Sequence, residues 1–154
     1  LHYPLRRQRQ MCIRDSMNDE ERTLVLLKPD AVKRRLMGEI IGRYEAKGLT
    51  VRAMELSTID AKTARKHYAE HVGRDYYAAL EEFITSGPLV AMVLEGRRVI
   101  SVVRAMNGAT DCAEALPGTI RGDFGTEKNH NLVHASDCLE SAEREIGLWF
   151  PHLV

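Results

Sequence analysis

The sequence predicts an α+β fold, a four-stranded antiparallel sheet with helices packed on one of its faces. Three observations carry that expectation. Aliphatic runs of strand length recur, TLVLL at 23–27, LVAMVL at 89–94 and the pair Leu132-Val133, with a looser alternation over 49–59. Segments whose apolar residues repeat at three and four lie between them, giving the order β, α, β, α, β, α, β, α. The 154 residues suit one domain, without internal repeats or low-complexity tracts.

TLVLL ends at Lys28-Pro29-Asp30, where Pro29 stops strand pairing and Asp30 is placed to cap a helical turn over 31–35. Lys28, at the C-terminal end of a buried strand, points to the crevice where such sheets hold ligands, or is simply a solvated strand end. Met37, Ile40, Ile41, Tyr44 and Ala46 have helical spacing, and Gly48 is a natural stop. LTVRAMELSTI over 49–59 suits a strand with one exposed face, and Asp60 caps a helix expected over 61–71. Gly73 breaks it, and Tyr76, Tyr77, Leu80 and Phe83 form another helical face. Tyr68, Tyr76 and Tyr77 are core aromatics or, where a ring faces a cleft, a surface on which a base can stack. RRVISVVRAM at 97–106 fits either state; its length and its place between strand and loop select helix.

The segment 107–124, NGATDCAEALPGTIRGDF, is the one long irregular stretch. It carries Thr110 and Arg121, and Arg104 precedes it. Two arginines, a lysine and a hydroxyl suit a polyphosphate, because guanidinium groups grip phosphate oxygens in fork geometry. The alternative is a surface loop with solvated charges.

The chain is organised around residues 131–149, NLVHASDCLESAEREIGLW. Leu132 and Val133 suit a strand, whereas Asp137 with Glu140 has the spacing of a capping box. Leu139, Ala142, Ile146 and Trp149 form one apolar helix face, leaving Glu140, Glu143 and Arg144 for water. His134 therefore sits just before a strand-to-helix turn. Glu145 lies about 12 Å along the helix and His134 at most about 10 Å behind the turn, so the two can meet if strand and helix fold back on one another. A carboxylate on one imidazole nitrogen would leave the other with a free lone pair, as a nucleophile requires. The alternative is a histidine packed at a strand end.

Residues 1–16, LHYPLRRQRQMCIRDS, are basic and lack apolar periodicity or a signal-peptide core. MCIRDS also back-translates to ATG TGT ATA AGA GAC AG, which resembles a sequencing-transposon end. Residues 1–16 are expected to be a non-native or disordered extension and 17–154 the folded domain, an expectation that N-terminal sequencing of native protein would overturn by finding the peptide. Without Arg6, Arg7, Arg9, Arg14 and Asp15, Lys+Arg falls from 22 to 18 and Asp+Glu from 22 to 21, a formal charge of −3. That is no nucleic-acid footprint, and no apolar run spans a bilayer, so neither nucleic acid nor membrane is an expected partner. Cys112 and Cys138, the remaining thiols, lack metal-ligand spacing, so a reducing cytoplasmic setting is expected and no residue is assigned to a metal. GxxxxGK[ST] and a strand-linked GxGxxG are both absent.

KPDAV at 28–32, SGPLVAMVLEG at 86–96, PGTIRGDF at 117–124 and NLVHASD at 131–137 together resemble nucleoside diphosphate kinase, over about 21–151. The resemblance implies a ferredoxin-like fold and ping-pong transfer of the terminal phosphate from nucleoside triphosphates, ATP among them, to diphosphates. His134 matches the histidine that carries the phosphate, Glu145 the acid that orients it, and Ser136 and Tyr68 match residues beside the transferring group. By the same match Arg104, Thr110 and Arg121 bind phosphates, and Lys28 and Asn131 bind ribose hydroxyls and phosphate. Tyr76 takes the place of a phenylalanine that stacks on the base. Mg²⁺ is expected to be held mainly by nucleotide phosphates and water. Homo-oligomers, a hexamer or a tetramer, are implied as well.

Departures from the family pattern are few. Ala135 follows the histidine where glycine is usual, which implies strain of about 1 kcal/mol if that position needs a positive φ. Asp111-Cys112 replaces a frequent Asn-Pro and is expected to loosen the long loop. Two readings of other classes, a catalytically silent interaction module and a nucleotide sensor, leave His134 and Glu145 without a purpose.

Overall fold

The computed structural model describes residues 20–154, and the expected extension at 1–16 lies outside them. Strand β1 (Glu21–Leu27) is followed by a one-turn helix α1 (Pro29–Lys33), α2 (Met37–Ala46), β2 (Thr50–Ser57), α3 (Ala61–His67), α4 (Tyr77–Ile84), β3 (Leu89–Gly96), α5 (Val99–Asn107), α6 (Ile120–Phe124), β4 (Val133–Ala135) and α7 (Leu139–Trp149). The sheet order is β2-β3-β1-β4, and every neighbouring pair is antiparallel. β1 and β3 pair from Glu21 opposite Gly96 to Leu27 opposite Val90. This is the expected α+β, ferredoxin-like sheet.

Helices cover both faces of that sheet, not one. Val25, Leu27, Val90, Met92 and Leu94 pack on Ile40 and Tyr44 of α2 and on Val99, Ile100 and Val103 of α5. Leu24, Leu26, Ala91 and Val93 face the other way, toward Ala64 of α3, Tyr77 and Ile84 of α4 and Ile146 of α7. The reason is in the runs themselves: TLVLL and LVAMVL do not alternate, so both of their faces need cover. Each fully buried Leu contributes about 1.5–3 kcal/mol over an exposed one. β2, at the edge, does alternate loosely and leaves Met54 55% and Leu56 56% exposed.

Several boundaries differ from expectation. Asp30 does not cap α1; its Oδ2 accepts from the Leu132 amide at 3.1 Å and so ties the turn after β1 to the approach to β4. α3 begins as expected, with Asp60 accepting from the Thr63 amide at 2.8 Å, but ends at His67, because Tyr68 leaves helical geometry before a 3₁₀ turn at Ala69–His71. The irregular segment contains α6, capped by the Thr119 hydroxyl on the Gly122 amide at 2.9 Å. The Asp137–Glu140 capping box does not form. Ser136, one residue past β4, stays tied to β1, its amide donating to the Leu24 carbonyl at 3.1 Å and its hydroxyl accepting from the Leu24 amide at 3.3 Å. The helix start is thereby displaced to Cys138, whose Sγ accepts from the Ser141 amide at 3.5 Å, and Leu139 is turned into solvent rather than onto the apolar face.

Candidate active site

β4 pairs with β1 through three residues, with His134 opposite Leu26, and its short length delivers the chain into α7. α7 folds back over the strand and brings Glu145 to His134, Nε2 to Oε1 at 2.9 Å. The Ser136 hydroxyl donates to the same Oε1 at 2.8 Å, so a buried carboxylate is held by one group from β4 and one from the residue just after it. A carboxylate only accepts; Nε2 of His134 therefore carries the proton and Nδ1 keeps its lone pair.

His134 opens on a cavity of about 340 Å³. Lys28, Tyr68, Arg104, Thr110, Arg121, Asn131 and Glu145 line it with His134. Ser136 lies behind the wall, fully buried. Tyr76 is not in the wall: it caps α4, 53% exposed, and its hydroxyl lies 2.6 Å from Nδ1 of His71, which does line the cavity.

The cations are held differently. The Lys28 ammonium donates to Asn131 Oδ1 at 2.9 Å, and Asn131 Nδ2 donates to the Thr110 carbonyl at 3.0 Å. Burial, reinforced by the charge of Arg121, lowers the Lys28 pKa to about 8. Arg121 donates through Nε to the Asn131 carbonyl at 3.1 Å, through one terminal nitrogen to Gly108 at 2.9 Å and through the other to Val133 at 2.5 Å. Arg104 makes one such bond, to the Ala135 carbonyl at 3.2 Å. Between Asn131 and Val133 sits Leu132, at φ 73, a conformation uncommon for a branched residue. Its amide is held by Asp30 and its carbonyl by the Lys28 amide at 2.8 Å, so the contacts around it enforce the turn into the histidine.

Ala135, by contrast, is an ordinary β4 residue paired with Val25 and is absent from the positive-φ residues, so the anticipated strain does not arise. Nor does Asp111-Cys112 leave the loop free. Asp111 accepts from the Ala113 amide at 3.0 Å, and buried Cys112 donates to the Glu127 carbonyl at 3.1 Å.

Two histidines escaped the sequence reading. His67 is 4% exposed, its ring edge-on to His134 at 4.7 Å, and its Nδ1 accepts from the Trp149 indole at 3.1 Å. Burial, with the neighbouring His134 next in effect, holds its pKa well below the usual range, so it is neutral. His71 lies one 3₁₀ turn further on. The one available signal was HYAEH at 67–71 beside the assigned Tyr68.

Fold and cavity together define a phosphate-handling enzyme on the ferredoxin-like plan, with a basic pocket in front of a carboxylate-paired histidine. A family model described as Nucleoside diphosphate kinase matches residues 21–153. The chain is 96% identical over 138 residues to a nucleoside diphosphate kinase of Cutibacterium acnes, covering 90% of this chain and 100% of that one. It is 64% identical over 132 residues to one from a Nocardioides species, covering 86% and 98% respectively. Among solved structures, a halophilic nucleoside diphosphate kinase from Halobacterium salinarum in complex with CDP superposes with a TM-score of 0.83 at 48% identity, over 86% of this chain and 88% of that one. The chain belongs to the nucleoside diphosphate kinase family. It is a kinase, a transferase that moves phosphate between nucleotides.

Proposed function

We propose that transfer is ping-pong and that His134 stores the phosphate between its halves. The observation that carries this reading is the 2.9 Å contact of Nε2 with Glu145, which leaves Nδ1 as the unprotonated nitrogen of a residue that lines the cavity. Nδ1 attacks the terminal phosphorus of a nucleoside triphosphate, the bond from that phosphorus to the bridging oxygen breaks, and the diphosphate departs with the bonding pair. The β-phosphate oxygen of a second nucleoside diphosphate then attacks the same phosphorus and the P–N bond returns its electrons to Nδ1. Glu145 stabilises the positive charge that the ring acquires in the intermediate, and Ser136 fixes Glu145.

The remaining roles extend the same proposal, supported by the residues that line the cavity. Arg104, Arg121 and Lys28 surround the phosphates with positive charge, with Thr110 and Asn131 as neutral partners and Lys28 and Asn131 also in reach of ribose hydroxyls. The Tyr68 hydroxyl is buried without a protein partner and its pKa is pushed up by burial, so it remains a donor for an oxygen of the transferring group. Tyr76 offers an exposed ring, beside His71 of the cavity wall, on which any base can stack. The structure of the Halobacterium salinarum relative with CDP supports a nucleoside diphosphate as ligand.

Mg²⁺ fits this reading as part of the substrate. The only cluster of metal-ligand type among the described residues is His67, His134 and Glu145, with ligand atoms within 4.8 Å of one another, and its nitrogen-rich set is already committed to Glu145 and Trp149. Mg²⁺ prefers an octahedron of oxygens, which phosphates and water supply. Homo-oligomerisation belongs to the same proposal, supported by the exposed edge of β2 with Met54 and Leu56.

Incubation with γ-labelled ATP and Mg²⁺, without acceptor, tests the reading. Acid-labile, alkali-stable label on the protein, absent from His134→Ala and discharged by GDP, is expected. Nucleotide binding without label would instead favour a sensor.

A further inference from the structure

Where the family usually has phenylalanine, this chain has Tyr76, and the added hydroxyl is not idle. It lies 2.6 Å from Nδ1 of His71, with the two rings at 5.6 Å and 60°. His71 lines the phosphate cavity and stands edge-on to Tyr68 at 5.9 Å. Tyr76 caps α4, and His71 ends the 3₁₀ turn that leads away from His67 and Tyr68. One hydroxyl thus joins exposed Tyr76 to a residue of the cavity wall. A ring nitrogen engaged at Nδ1 leaves Nε2 as the imidazole's other polar atom; when the tyrosine donates to Nδ1, the neutral ring carries its proton on Nε2.

We propose that the Tyr76 hydroxyl is a positioning group that holds His71 with Nε2–H available to an oxygen of the bound diphosphate, so that the base platform and the phosphate pocket order one another. This rests on the reading of Tyr76 as the base platform and deepens it, assigning separate work to the ring and the hydroxyl. An imidazole that ends a short turn has rotamers to lose on binding; a partner already holding it reduces that loss. Tyr77 next door does not provide such a link, because its hydroxyl donates to Glu81 on its own helix at 3.0 Å.

The test uses Tyr76→Phe, which keeps the ring and removes the oxygen, with calorimetric affinities for ADP and for pyrophosphate. One hydrogen bond of ordinary net strength corresponds to about three- to tenfold. Because the hydroxyl acts through His71 on phosphate, both ligands are expected to weaken by that same factor, with KM for nucleoside diphosphate rising alongside and the thermal midpoint unmoved. In a His71→Ala background, Tyr76→Phe is expected to cost nothing further. A loss confined to ADP, no loss at all, or an equal loss with and without His71 would overturn the proposal. Tyr76→Ala separates it from the reading beneath. If that variant weakens ADP while Tyr76→Phe equals wild type, the hydroxyl's role fails and the platform stands; if Tyr76→Ala binds ADP like wild type, the platform itself fails.

Discussion

Arg121 and Arg104 are the same residue type on the same cavity, yet they are built into the molecule in opposite ways. Arg121 is 9% exposed and gives three of its five N–H groups to the carbonyls of Gly108, Asn131 and Val133. Those carbonyls lie at the end of α5, just before Leu132 and in β4, so one guanidinium fastens three segments and keeps two N–H groups for a ligand. Arg104 stands on the exposed side of α5 with a single bond to the Ala135 carbonyl. The difference separates a cation that makes the pocket from one that merely faces it, a distinction invisible to the shared chemistry of the two side chains.

Substitutions can break that comparison. Arg121→Ala leaves three buried or half-buried carbonyls without their charged donor, and at about 1.5–3 kcal/mol for each charge-assisted bond the loss is a large fraction of a domain's stability. Urea unfolding is expected to show a midpoint reduced by several kcal/mol equivalent, and transfer to be lost with it. Arg104→Ala is expected to change stability within about 0.5 kcal/mol while transfer falls on the order of 10²-fold, as for loss of one charged donor at a reacting phosphate. Equal destabilisation by the two variants would mean that Arg121's three bonds do not hold the loop.

The contrast also marks what was legible in the sequence. β1, β3 and α2 could be read because an aliphatic run or a three–four spacing is a local consequence of burial. The meeting of His134 and Glu145 was legible as a length, since strand and helix arms of similar reach can fold back together. What escaped were facts that depend on a third element. The coverage of the second sheet face comes from α3, α4 and α7, which the sheet's own residues demand but do not locate. The tie of Ser136 to β1, which moves the α7 cap to Cys138, depends on Leu24, more than a hundred residues away. His67 needed Trp149, and Arg121's bonds needed the whole course of the loop. Ala135 was judged by comparison with glycine, whereas the residue bent to a positive φ on the approach to His134 is Leu132.

Lys28 extends the comparison to a cation whose charge can be removed by pH, and its effect is the smallest. Its pKa is lowered to about 8, mainly by burial and secondarily by Arg121, against about 10.4 in an unfolded chain. Above pH 8 the folded state loses this proton while the unfolded state keeps it, so the unfolded state binds more protons and Lys28 adds stability as pH rises toward about 10.4. Its effect on ligands runs the other way: a neutral amine no longer attracts phosphate. A bound polyphosphate favours the ammonium and draws the proton back. Calorimetric titration of ADP near pH 8.5, in buffers of differing ionisation enthalpy, is therefore expected to show net proton uptake that disappears in Lys28→Gln, because the phosphates are already fully ionised at that pH. Uptake that persists in the variant would place the responsible group elsewhere and leave Lys28 as a permanently charged cation of the pocket.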